Sequence, residues 1–319
     1  MFSEIQPGHP PQPGREEDAF YIGWMPKAPF SIADHVKKLL FILFPLALVI
    51  GLLIASFQKK FSTANFEFGK LTEVKGIYFN KPVPVIKVIC GKDSWGNASF
   101  LTIPLVGYGK YGAETALMEI ERQKNISLNQ MELTLRGTLL YSDGKTLLQV
   151  NKDDNPLVSI GQKADASLTP RQKDMGVQII KGEIVDPKCF FGVMKPGEGK
   201  VHRDCAIRCI LGGIPPVLKV MNTKGEKNYY LIAGPAGEKM NKAVQDFVAE
   251  PVAITAKIIQ QDDWIILYVN DYKSIQRISG SALARPDADL IACVAACSKQ
   301  KISLNGLHNN ARKQDEKDQ

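Results

Sequence analysis

The chain has 319 residues, room for two ordinary domains, and its 45% hydrophobic and 23% charged content is that of a protein that folds, which excludes wholesale disorder. A mean hydropathy of -0.11 excludes a polytopic membrane protein, because several spans would raise it well above zero. The net charge of +7, from 40 basic against 33 acidic residues, is dispersed and marks no nucleic-acid footprint, while six cysteines and four histidines leave room for one small metal or disulfide site.

Residues 1–36 open with Pro7, Pro10, Pro11 and Pro13, the composition of an unstructured lead-in, and include the aromatic run Phe20-Tyr21-Ile22-Gly23-Trp24, suited to a membrane interface or a neighbouring membrane subunit. From Leu39 to Phe57 no residue is charged, and Lys37-Lys38 and Lys59-Lys60 bracket the run. At 1.5 Å per residue this run covers roughly 28 Å, close to the thickness of a hydrocarbon core, and Pro45 near its middle is tolerable in a span. A secretory signal has a shorter apolar region and a small-residue cleavage site, so residues 37–60 read as an uncleaved transmembrane anchor. A short tail ahead of one span and a large C-terminal part place 1–36 in the cytoplasm and the rest outside. Arg15, Lys27 and His35 add positive charge on the tail side.

After the span, short β-branched and apolar runs alternate with turn signals, the all-β pattern, and two stretches repeat one another. Phe66–Val74 and Val177–Val185 read as opening strands; Val83–Val88 matches Pro215–Val220 through Pro-Val-Ile/Leu-Lys-Val; Ser99–Ile103 matches Asn228–Ile232. Helices are expected over Ala113–Gln123 and Met240–Val248. Each copy closes with a hairpin, Met131–Leu140 with Thr146–Asn151 around Asp143-Gly144, and Val252–Gln260 with Trp264–Asn270 around Asp262-Asp263. Three strands, a helix and two strands is the order of an OB-fold. The expected fold class is therefore mainly β, an N-terminal transmembrane helix followed by two tandem OB-like β-barrel domains at 61–160 and 176–278. Between them lies a linker at 161–175, and a tail follows at 279–319. The rival reading is two unrelated small β sandwiches. Gly107-Tyr108-Gly109-Lys110-Tyr111-Gly112 lacks the spacing of a phosphate cradle and reads as a turn.

The copies differ at the join of their first two strands. In the second copy this join is an insertion holding Cys189, His202, Cys205 and Cys209. Cys205 and Cys209 are four apart, so on a helical turn they share a face, and His202 three residues earlier joins it. Cys189 can complete a Cys3His set of the kind zinc accepts, and thiolates with a nearby Met194 suit copper(I). Outside the cytoplasm the same sulfurs can instead form a disulfide from Cys189 to Cys205 or Cys209, or rest as buried thiols; spacing does not decide among the three. The C-x-x-C-H of covalent haem and the four-cysteine spacings of iron–sulfur clusters are missing. His202 is the one histidine outside the tails and the membrane region, so histidine catalysis has a single candidate.

Residues Gly182–Val220, with Asp186-x2-Cys189, His202-x2-Cys205-x3-Cys209 and Gly212-Gly213 before a strand, resemble small exported bacterial OB-like domains of uncharacterised function. Those carry an Asp-x-x-Cys, a His and a Cys-x3-Cys near their start. The resemblance covers about a hundred residues of the second domain and implies an extracytoplasmic bacterial setting, not a reaction. This chain has a longer stretch between Cys189 and His202.

OB-folds bind single-stranded nucleic acid through aromatics in a basic groove, for which Tyr229, Tyr230, Lys219 and Lys227 are the candidates, but a domain outside the membrane meets no such ligand. In the tail, Cys293 and Cys297 sit four apart on a short helical pattern, by default as small apolar residues on a docking face. The expected function is a non-catalytic binding module: a single-pass protein of the bacterial inner membrane with its domains in the periplasm, a subunit of an integral membrane complex, with a respiratory complex as a candidate. Nucleic acid is not an expected partner. The alternative is a metal or redox protein carrying copper, zinc or electrons on the insertion.

Overall fold

The structure is a computed structural model and describes residues 30–57, 64–92, 98–165, 168, 172–222 and 225–280. The chain divides into two units, Met1–Phe61 and Ser62–Gln319. The aromatic run at 20–24, the Lys59-Lys60 pair and Cys293 with Cys297 lie outside the described residues.

The first unit is helix α1, Phe30–Phe57, which starts earlier than the anchor expected from the sequence. Its stretch Ile32–Ser56 is long and apolar enough to be a membrane span or a signal sequence. At 1.5 Å per residue those 25 residues extend roughly 38 Å. Leu39, Phe41, Ile42 and Phe44 are exposed, as expected of a helix with apolar side chains on every face. Pro45 lies inside the helix, and Ser56 Oγ donates to the Leu52 carbonyl at 2.7 Å, which satisfies its hydroxyl without water.

The second unit is mainly β and holds two closed five-stranded barrels. The first uses β2 (Thr72–Phe79), β3 (Val85–Lys92), β4 (Ala98–Gly107), β5 (Met131–Ser142) and β6 (Lys145–Val150), in the order β5-β2-β3-β4-β6, closed by β5 against β6. Strands β4 and β6 are parallel; the other pairs are antiparallel. The short β1 (Asn65–Phe66) and β7 (Leu157–Lys163) add to β5. Helix α2 (Glu114–Lys124) bridges β4 and β5 and buries Leu117.

The second barrel uses β8 (Gln172–Val185), β9 (Val217–Met221), β10 (Lys227–Ala233), β11 (Pro251–Gln261) and β12 (Trp264–Tyr268). Its order is β11-β8-β9-β10-β12, closed by β12 against β11, again with the third and fifth strands parallel. A last strand, β13 (Ile275–Arg277), edges β11. Alternation makes these strands: along β11, Val252, Ile254, Ala256 and Ile258 are buried while Lys257 is exposed, a period of two.

Four sequence expectations need correction. The opening strand over 66–74 is cut by a turn at Glu67–Leu71, so that β1 and β2 pair separately with β5. Its match to 177–185 is then shifted: Ile77 pairs with Lys87 in one barrel and Glu183 with Lys219 in the other, which aligns Lys75-Gly76 with Lys181-Gly182. The helix expected over Met240–Val248 is a set of turns with one 3-10 turn, Gln245–Phe247. Nine residues nucleate an α-helix poorly in isolation, and tertiary bonds claim this segment: Asn241 Nδ2 donates to the carbonyls of Ile210 and Ile214, and Ala249 N donates to Ile184 O. Finally, β8 begins at Gln172, inside the stretch expected to be linker.

The barrels share apolar core. Val83, Val85, Val106, Leu140 and Leu147 of the first pack in one cluster with Val185, Phe191, Ile214, Val217, Tyr229 and Trp264 of the second. The hairpin turn of each barrel meets a strand of the other. Tyr229 Oη donates to Asp143 at 2.5 Å, while Asp262 pairs with Lys87 and Asp263 Oδ1 accepts from Thr102 N at 2.9 Å. Trp264 Nε1 donates to the Thr102 carbonyl at 2.9 Å.

Candidate metal centre

The insertion between β8 and β9 folds onto this shared core. Asp186 follows β8 directly, and its Oδ1 accepts from Lys188 N at 2.9 Å, a local turn that fixes the carboxylate. Cys189–Val193 make a single wide turn that buries Phe190 and Phe191 against the Tyr229 ring, with centroids 5.6 and 4.9 Å away. The chain returns through a 3-10 turn at Lys200–His202 into α3 (Arg203–Leu211), which carries Cys205 and Cys209. Gly212-Gly213 then ends the helix ahead of β9.

All four sequence-predicted site residues lie close together. The sulfurs of Cys189, Cys205 and Cys209 are within 4.8 Å of one another. A second set is equally tight: an Asp186 oxygen, the Cys189 sulfur and a His202 ring nitrogen, also within 4.8 Å of one another. Cys189 belongs to both. The thiols are free, Cys189 and Cys209 buried and Cys205 half-buried. His202 is 4% exposed and Asp186 0%, yet His202 Nε2 and Asp186 Oδ2 have no hydrogen-bond partner. Buried polar atoms are nearly always paired, so these two orphans beside one thiol stand out, and the groups around them could hold a metal ion.

The first barrel completes the surroundings. Its Gly107–Gly112 turn lies against α3: Lys110 Nζ donates to Cys205 Sγ at 3.0 Å, and Gly112 N donates to Gly212 O at 3.0 Å. Lys188, itself buried, donates to the carbonyls of Gly107 and Gly109, both at 2.7 Å. Hydrogen bonding to Cys209, then burial and the Asp186 carboxylate, push the Cys189 thiol well above its ordinary range. Burial lowers the pKa of Lys188, against the pull of Asp186 and the cysteines, and lowers that of His202. The Cys205 contact raises the pKa of Lys110. A buried thiol held protonated is a poor nucleophile. Converging thiols can instead lose their protons to a thiophilic ion, and a neutral imidazole offers its free nitrogen lone pair.

Sequence reasoning left Asp186 out as a ligand and placed Lys110 only in a turn, with no tie to the cysteines. The Asp-x-x-Cys spacing within one turn was the available signal for Asp186; Lys110 reaches Cys205 across 95 positions of chain and has no local signature. The tyrosines considered for base stacking are both buried, Tyr229 and Tyr230 each 0% exposed. Leu39 and Pro45 lie within α1 and Phe57 ends it, apart from the cysteine cluster in sequence and in unit. Neither a protein-family model nor a curated protein matches this chain.

Proposed function

We propose that the chain is a membrane-anchored, non-catalytic module in which two OB-like barrels present a thiolate site for a soft metal ion, copper(I) or zinc. The convergence of the Cys189, Cys205 and Cys209 sulfurs on one another carries the reading. Soft thiolate donors select such ions, and a closed, mostly buried set suits holding rather than hydrolytic chemistry, which needs an open coordination position.

The OB-like reading rests on topology. Both barrels run first-second-third-fifth-fourth with parallel third and fifth strands. Gly76 and Gly182 occupy one register position, where a Cβ would strike the carbonyl of Lys87 or of Lys219. The apolar helix α1 supports anchoring. The Asp-x-x-Cys, His, Cys-x3-Cys resemblance supports a bacterial extracytoplasmic setting, with the tail in the cytoplasm and an integral membrane complex as partner. Nucleic acid has no part in this reading, because the tyrosines that would stack on bases are core residues.

Elemental analysis of the full-length protein, purified in detergent without reductant, tests the reading. We expect stoichiometric copper or zinc, lost in Cys205→Ser/Cys209→Ser. Metal-free protein whose peptide map shows Cys189 in a disulfide would overturn it.

A further inference from the structure

We propose that the centre is dinuclear for copper(I), with the Cys189 thiolate bridging one ion on Cys205 and Cys209 and a second on His202, beside the Asp186 carboxylate as counter-charge. This deepens the metal-binding reading above and rests on it. The donors fall into two mutually close sets that have Cys189 in common. Donor distances of about 2.0 to 2.3 Å place the ligands of one ion up to about 4.6 Å apart, and each set, with its atoms within 4.8 Å of one another, is close to that spread and shares the Cys189 sulfur with the other.

The second position has evidence of its own. His202 Nε2 and Asp186 Oδ2 are each buried without a partner, although a buried carboxylate oxygen and ring nitrogen left unsatisfied cost stability. A cation between them satisfies both at once. The first set alone leaves these two atoms orphaned, so a single ion on the three sulfurs does not account for them.

Charge selects the valence. Three thiolates and one carboxylate bring four negative charges into a largely buried space, and Lys110 and Lys188 bring two positive ones. Two monovalent ions bring the sum to zero; two divalent ions leave it at plus two, which a buried site tolerates poorly. One divalent ion is also neutral, so zinc is expected to stop at one equivalent where copper(I) reaches two.

The test is anaerobic titration of the full-length, detergent-solubilised protein, freshly reduced and stripped of metal. Copper(I) is delivered from its bicinchoninate complex, and zinc is titrated in parallel. Wild type should take two copper(I) ions and one zinc ion. Asp186→Asn/His202→Gln should keep one copper(I), a retained equivalent that also reports an intact fold, and Cys189→Ser should lose both at the same competitor strength. A wild-type endpoint of one copper(I) overturns the bridged pair and leaves the metal-binding reading standing, whereas an endpoint of zero overturns both. Two equivalents that survive Asp186→Asn/His202→Gln overturn the assignment of the second position. Two equivalents of zinc overturn the charge argument.

Discussion

Lys87 and Lys219 hold the same register position in the two barrels and meet different partners. Opposite Lys219 stands Glu183, which with Glu198 pairs it. Opposite Lys87 the corresponding residue is Ile77, so the ammonium, 1% exposed, takes its counter-charge from Asp262 of the other barrel, 4% exposed. Burial lowers the Lys87 pKa and Asp262 partly restores it. Removing one member of a buried pair strands the other, so Asp262→Asn, which suits the φ of 51° at this turn, is expected to lower stability by about 3–5 kcal/mol, whereas replacing both, Lys87→Met with Asp262→Asn, should recover most of the loss. Denaturant unfolding of the three proteins checks this; equal losses in the single and double variants would mean that the carboxylate acts through its other contacts. Both lysines stand out in the sequence, in Pro-Val-Ile/Leu-Lys-Val, but nothing near Lys87 signals a partner 175 positions away.

Strands and turns were legible at the scale of elements because their causes are local. Period-two burial marked β11, and the two-residue loops at Asp143-Gly144 and Asp262-Asp263 have their first residues at φ 48° and 51°, a conformation that Asp tolerates. The segment 240–248 was misread because Met240, Val244 and Val248 are spaced as on a helix yet are buried by tertiary contacts in a turn. The i, i+4 spacing puts Cys205 and Cys209 on one face of a helical turn, and Gly107–Gly112 reads as a turn; that the one lies against the other has no local signal, since the contacts are long-range, Gly112 N to Gly212 O and Lys110 Nζ to Cys205 Sγ. At Gly212, φ is ordinary and space decides the residue: a Cβ there would overlap the Lys110 carbonyl oxygen. Gly212→Ala is therefore expected to cost about 1–3 kcal/mol, as overpacking does. Amide exchange at Gly112 should quicken while the β8 and β11 amides keep their protection. Unchanged exchange at Gly112 would show that the turn does not depend on this approach.

Each barrel has an apolar core of its own and the two share a third cluster, so the protonation of groups in these interiors bears on the whole second unit. Tyr78, Tyr229 and Tyr230 are each under 5% exposed, and burial raises all three above the ordinary tyrosine value of 10.0, with Asp143 adding to the shift at Tyr229. Above that pH the unfolded chain sheds phenolic protons that the folded chain keeps. Folding stability must then fall as pH rises, by up to about 1.4 kcal/mol per pH unit for each group. Lys87 and Lys188, shifted down, act in the opposite sense only below their ordinary 10.5. Denaturant midpoints should therefore drop between pH 10.5 and 11.5. Tyr230→Phe should reduce that drop, and a flat profile across the interval would contradict the buried phenols.

The Trp264 indole, 1% exposed, sits at the seam of the two barrels, its nitrogen bonded to Thr102 of the first and its face under the Lys145 ammonium at 5.0 Å. The molecule thus carries a built-in optical gauge of its own integrity. Any event that parts the barrels, with the strands themselves left whole, moves this ring from a dry, cation-capped niche into water. In a Trp24→Phe/Trp95→Phe background the emission colour of one residue would report the seam alone, and would separate slackening of the joint from melting of either half.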